Sequence, residues 1–302
     1  VAFRNFKEML QRAQELPKSR LSVAAADDLE VLKSVKNAYE KGLVDPILVG
    51  DREKIKELSR QINFEVEDEQ IYDIPEPKSA TEKAVRLVSE GKADIIMKGM
   101  VGSSEFMKTV LNSEYGLRTG KTLSHLAAYD VPEYERVLFM TDGGINISPG
   151  LYQKVEILQN AIDAVRSLGF DEPKVGVLAA VEVVNPQMEA TMHAAVLSKM
   201  AERGQIRGAV VDGPLALDNA INEEAARQKK IKSPVAGKAD ILLVPDIEAG
   251  NIFGKSLIYL AGGTMAGIVL GAAAPIVMTS RADTADGKLC SIVMASLVGR
   301  RL

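Results

Sequence analysis

The chain has no tryptophan, one cysteine and two histidines among its 302 residues. Each scarcity removes a class of function. A single thiol, Cys290, forms no internal disulfide, and its apolar setting marks it as core rather than nucleophile. His125 and His193 have no ligand-spaced partners, so no metal site is expected. His193 falls within a predicted helix and reads as a packed residue. Seven Phe, seven Tyr and no Trp give no platform for stacking nucleic-acid bases. A formal charge of −4 does not suit a binder of phosphate backbones. The GxSxG, GxGxxG and GxxxxGK[ST] patterns are absent. The first sixteen residues are rich in Arg, Lys and Glu and hold no apolar segment of a secretory signal. With nothing to indicate an oxidising compartment, a cytoplasmic location is expected. One uncharged stretch, between Lys255 and Arg281, reaches membrane-spanning length. Gly262-Gly263 and Pro275 divide it into pieces of helix and strand length, and an α/β core accounts for it.

What is present is an ordinary globular balance, 46% hydrophobic and 26% charged, at a length that favours two domains. Phe3, Phe6, Met9, Leu10 and Ala13 recur at helical spacing over residues 3–16. An apolar strand over 21–26 precedes Asp27-Asp28, which begin a helix carrying Leu29, Leu32, Val35 and Tyr39. A second strand over 46–50 precedes Asp51, the cap of a helix with Ile55, Leu58 and Ile62 inside. This βαβα rhythm predicts a parallel sheet. Residues 63–78 read as an irregular connection, and Ser79 to Glu82 has capping-box spacing before the next helix. Strands are expected over 93–97, 123–129, 136–140, 174–180, 209–211 and 241–244. Helices are expected over 149–168, 186–203 and 252–260.

Five strand ends close in polar groups and glycines: Lys98 to Ser104, Thr141 to Asn146, Asp212 to Asp218, Asp246 to Lys255 and Thr279 to Asp286. Open α/β sheets bind ligands at such carboxyl edges. In the first, Lys98, Gly99, Ser103 and Ser104 lead into a helix whose N–H groups can face an anion, with Lys108 one turn on. In the last, an apolar strand breaks into Thr279, Ser280, Arg281, Asp283 and Asp286 before the closing helix. Thr284 or Asp283 can also be read as no more than the cap of that helix. Asn146, Gly250, Asn251 and Lys255 supply further polar groups.

Pro245-Asp-Ile-Glu-Ala-Gly-Asn251 with Lys255, and Thr279-Ser-Arg281, resemble the phosphate acetyl/butyryltransferase family. Lys98 to Ser104, Thr141 to Asn146 and Asp212-Gly213 are similar to its other blocks. Ser124 to Pro132 and the compact length look most like the butyryltransferases. The resemblance implies two three-layer α/β/α domains of the isocitrate/isopropylmalate dehydrogenase type with a cleft between them. Residues 1–120 with 270–302 would form the first and 121–269 the second. It implies reversible acyl transfer from acyl-CoA to phosphate by direct displacement, a homodimer or higher homo-oligomer, and no permanently bound cofactor, with CoA and phosphate as substrates. Ser280 and Arg281 match the family's serine–arginine pair. Its aspartate lies seven residues past the serine, where this chain has Gly287, so Asp286, or else Asp283, takes the role of base. A family arginine appears here as Lys108. Phosphate acetyl transfer, a metal-dependent hydroxyacid dehydrogenase of the same fold, and a non-catalytic acyl-CoA binder are the alternative readings.

Overall fold

A computed structural model describes residues 3–279 and 285–299. The chain folds into two compact units. The first comprises Phe6–Lys121 and the chain from Met265 onward; the second is Thr122–Thr264 with the described residues 3–5.

The first unit opens with α1 (Phe6–Gln14), β1 (Ser19–Ala24), α2 (Leu29–Glu40), β2 (Val44–Gly50) and α3 (Arg52–Gln61). A 3₁₀ turn (Asp68–Gln70), β3 (Ile71–Asp73), α4 (Pro77–Ser89), β4 (Ile95–Lys98) and α5 (Ser103–Val110) follow. The second unit contains β5 (Ser124–Asp130), β6 (Leu138–Thr141), α6 (Leu151–Ser167), β7 (Lys174–Leu178), α7 (Glu189–Glu202) and β8 (Val210–Leu215). It is completed by α8 (Leu217–Ile221), α9 (Glu223–Gln228), β9 (Ile241–Leu243) and α10 (Ile247–Tyr259). The chain then returns to the first unit through β10 (Thr264–Leu270), β11 (Ile276–Val277) and α11 (Ala285–Val298).

In the first unit the strand order is β3-β2-β1-β4-β11-β10, parallel except for the β10–β11 pair. β1 is the centre, and Leu21, Val23 and Ala24 on it are fully buried. Successive apolar residues all go inside because helices cover the sheet, as parallel sheets require. α2 starts where Asp28 accepts a hydrogen bond from the Val31 N–H at 3.0 Å, and α3 where Asp51 accepts from Lys54 at 3.1 Å. α11 packs against α1 and α2 and is buried along nearly its whole length. Its Ser291 hydroxyl donates to the Gly287 carbonyl and accepts from the Gly267 N–H, so this buried oxygen is satisfied.

In the second unit the order is β5-β6-β9-β7-β8, antiparallel only between β5 and β6. Asp240, 9% exposed, accepts from the Lys174 N–H at 2.8 Å and faces Arg136 at 3.4 Å, which fixes the start of β7.

Four local readings change. α10 begins at Ile247 rather than at 252, so Gly250 and Asn251 lie within the helix and not ahead of it. Residues 63–78 hold the short strand β3, whose Ile71 pairs with Leu48; three residues are too few to show a period. α4 starts at Pro77 rather than at the Ser79 box. The Glu76 carboxylate accepts from the N–H groups of Lys78 and Ser79, and Pro77 has no N–H to satisfy. Asp212 and Gly213 do not end a strand, because β8 runs on to Leu215 after a shift of register against β7 between Gly176 and Leu178. The long uncharged stretch becomes the end of α10 followed by β10 and β11. Among the described residues no helix is long and apolar enough to cross a membrane.

Candidate functional site

The carboxyl ends of β1, β4 and β11 lie side by side. Ala24 is in register with Lys98, and Val277 with Met97. Beyond that edge the Gly99 and Met100 N–H groups donate to the carbonyls of Ala24 and Ala25, each at 2.8 Å. A side chain on Gly99 would lie well under 3.0 Å from both carbonyl oxygens, so only glycine lets the strand leave the sheet here. Ala25 itself has φ 49°, a left-handed conformation unfavourable for a residue with a Cβ.

These strand ends enclose a cavity of about 570 Å³. Asp28, Glu30 and Val31 at the start of α2, the loop from Lys98 to Gly102, Thr279 and Lys288 line it. First turns of α2, α5 and α11 therefore meet at one place, each with N–H groups and the positive end of a helix dipole. Gly102, the N-cap of α5, supplies no side-chain cap, and the space where its Cβ would sit is open.

The sequence-assigned residues divide by position. Lys98, Gly99 and Thr279 line the cavity. The Lys98 ammonium turns back on its own loop and donates to the carbonyls of Gly99 (3.2 Å) and Val101 (3.1 Å), bracing it. Ser103, Ser104 and Lys108 are on α5 outside the lining, and all three are exposed. Asp286 is exposed in the first turn of α11. Ser280, Arg281 and Asp283 lie outside the described residues. Lys288, which no motif singled out, is 6% exposed and lines the cavity. The signal for it was a single cation at the head of a helix that is apolar beyond its first turn. The Glu30 carboxyl is held below its ordinary range, chiefly by the hydrogen bond from Lys33 and less by the Lys288 charge.

In the second unit a different device shapes the strand ends. Asp142, 2% exposed, accepts from the N–H groups of Gly144 (2.9 Å), Ile145 (3.0 Å) and Asn146 (3.2 Å) and from the Asn146 amide (2.6 Å). That amide also donates to the Leu123 carbonyl at 2.7 Å. Both Asn146 amide hydrogens are thus committed to the loop. Gly250 packs directly on this loop, since a Cβ there would be 2.6 Å from the Gly143 Cα. Asp246 caps α10 through the Ala249 N–H at 2.8 Å. Asn251 is exposed on α10, as is Lys255.

The same unit holds a partly buried basic pair. The Lys154 ammonium, on a residue 5% exposed, lies 3.1 Å from His193 Nδ1 and donates to it, and His193 Nε2 is 3.9 Å from Glu189. Burial first, then the Lys154 charge, pushes the His193 pKa below its ordinary 6.5, against the pull of Glu189. The folded state therefore resists the proton that the unfolded chain accepts. Unfolded molecules bind more protons as pH falls through about 6.5, and stability drops with them. The melting temperature of the wild type should fall further between pH 7.5 and pH 5.5 than that of His193→Gln. Equal falls would show that His193 has no such effect.

Comparison with known proteins gives first the class and then the family. The fold matches the crystal structure of a branched-chain phosphotransacylase from Enterococcus faecalis V583, with a TM-score of 0.81 and 30% identity, covering 93% of this chain and 99% of that one. Residues 76–296 match the phosphate acetyl/butaryl transferase family, and the chain belongs to that family. It is 47% identical over 298 residues to the phosphate butyryltransferase of Clostridium beijerinckii, covering 99% of each. It is 45% identical over 278 residues to the phosphate acetyltransferase of Thermotoga maritima, covering 92% of this chain and 94% of that protein.

Proposed function

We propose that the chain moves a short acyl group, butyryl or one of similar size, reversibly from CoA to inorganic phosphate, giving acyl phosphate and free CoA. The observation that carries this reading is the 47% identity over 99% of both chains with a phosphate butyryltransferase. The cavity at the ends of β1, β4 and β11, with helix N-termini turned toward it, supports a site for an anion.

The chemistry proposed is direct displacement in a ternary complex. A phosphate oxygen attacks the thioester carbonyl, the C–O bond forms, and the C–S bond breaks to release CoA thiolate. In reverse the CoA thiol attacks the acyl phosphate, and a carboxylate, Asp286 or Asp283, takes the thiol proton. Arg281 neutralises phosphate and Ser280 donates to the developing oxyanion. Asp286→Asn and Asp283→Asn separate the two candidates. The base is the residue whose loss lowers turnover by about 10²-fold or more; a variant that keeps wild-type turnover removes that aspartate from the role.

Mixing the protein with butyryl-CoA and following thiol release tests the reaction. Release that depends on added phosphate is the expected result, and release indifferent to phosphate would sink it. The T. maritima relative at 45% identity favours acetyl-CoA as the second donor to try. A methylene in an apolar pocket is worth only about 1–3 kcal/mol, so kcat/KM for acetyl-, butyryl- and isobutyryl-CoA decides acyl length.

A further inference from the structure

We propose that Lys288, in addition to Arg281, is a cation that binds the phosphate substrate. The proposal rests on the acyltransferase reading above and assigns a residue to it that no motif marked. Lys288 stands in the first turns of α11, is buried to 6% exposure, and lines the cavity at the ends of β1, β4 and β11. Among the described residues none hydrogen-bonds or ion-pairs with its ammonium, although its charge reaches Glu30.

Every other charge on the cavity wall is already committed. Lys98 is held by two carbonyls of its own loop. Asp28 accepts from the Val31 N–H as the cap of α2, and Glu30 is paired with Lys33 at 2.7 Å. Lys288 is left as the one ammonium on the described wall that no described residue holds. An ammonium on a cavity wall without a partner can take an anionic ligand as one. A phosphate oxygen supplies that partner, and the start of α2 and the N-cap of α5 border the same space. The compact ammonium with three donors suits a small, tetrahedral anion approached from one side.

The test measures initial rates of Lys288→Met and Lys288→Arg against both substrates. Losing a charge-assisted hydrogen bond should raise the phosphate KM about tenfold or more while the butyryl-CoA KM moves less than about twofold. Lys288→Arg should recover part of the loss. A folded Lys288→Met with an unchanged phosphate KM overturns the proposal. Amine acetylation of the wild-type protein, read by mass spectrometry with and without inorganic phosphate, gives a second measure that needs no variant. Phosphate should lower labelling of Lys288 severalfold and leave the exposed Lys199 unchanged. Labelling of Lys288 that ignores phosphate overturns the assignment, because an ammonium closed to a small reagent is closed to phosphate as well. If the wild type releases no thiol in response to phosphate, the transferase reading fails by itself, and the labelling still decides whether Lys288 holds the anion.

Discussion

Arg281→Gln should lower turnover with butyryl-CoA and phosphate by about 10³-fold while the protein melts within a few degrees of the wild type. The proposed transition state carries negative charge on the attacking phosphate and on the thioester oxygen. Glutamine keeps some of the side chain's length and hydrogen-bonding capacity but loses the charge and the two parallel N–H groups that meet a phosphate edge. Removing one preorganised donor from a site of this kind costs about 10²–10³ in rate, and removal of charge adds to that. The loss should appear in kcat as well as in the phosphate KM, since the charge is needed most when the bond forms. Near-wild-type turnover in this variant would remove Arg281 from the mechanism and, with it, the residue carry-over from the family's serine–arginine pair.

Gly99→Ala should be among the most disruptive single methyl groups in the first unit. The added carbon would press on the carbonyl oxygens of Ala24 and Ala25, which are backbone atoms and cannot turn aside as a side chain would. Those carbonyls accept the hydrogen bonds that anchor the loop to the end of β1. Overpacking of this sort costs about 1–3 kcal/mol, which is roughly 2–5 °C of melting temperature for a chain of this size. The cavity is lined by the loop that must move, so activity should fall by about 10²-fold as well, in line with the sensitivity of reacting groups to displacements near 1 Å. Gly102→Ala is the control. Nothing lies within 4 Å of the position its Cβ would take, and the change at this helix cap should alter stability by only about 0.5–1 kcal/mol. Equal melting temperatures for the two variants would refute the close-packing account.

The periodic parts of the fold were legible because local and tertiary forces agree there. Asp51 caps a helix as its position suggested, Asp28 rather than Asp27 caps the one before it, and the apolar strands there form the parallel core. β3 was hidden because three residues carry no pattern and its place is set by pairing with β2. The candidate site was legible as a set of strand ends, yet the roles inside it were only half visible. A lysine among glycines suggests an anion ligand, but the fold turns the Lys98 ammonium onto its own carbonyls. Asn146 suggests an open hydrogen-bond donor, but Asp142 and Leu123 take both its amide hydrogens. Lys288 was obscured by the apolar sequence that follows it, and only the meeting of three helix starts gives it an environment. Sequence spacing tells which residues share an edge, whereas the direction of a flexible cation depends on carbonyls brought there by other strands.

β11 inserts between β4 and β10, and its Ile276 pairs with Ile96, 180 residues earlier in the chain. A ribosome therefore delivers the first four strands of this sheet long before the strand that covers the β4 edge. The intervening unit, which is nearly continuous in sequence, emerges whole in the meantime. Through that interval β4 presents an open ladder and α2 lacks the apolar cover of α11, the condition in which a nascent chain is most prone to wrong pairing. Completion of the cavity thus waits on the translation of β11 and α11, because the segment that closes the sheet also brings Lys288 to the cavity wall.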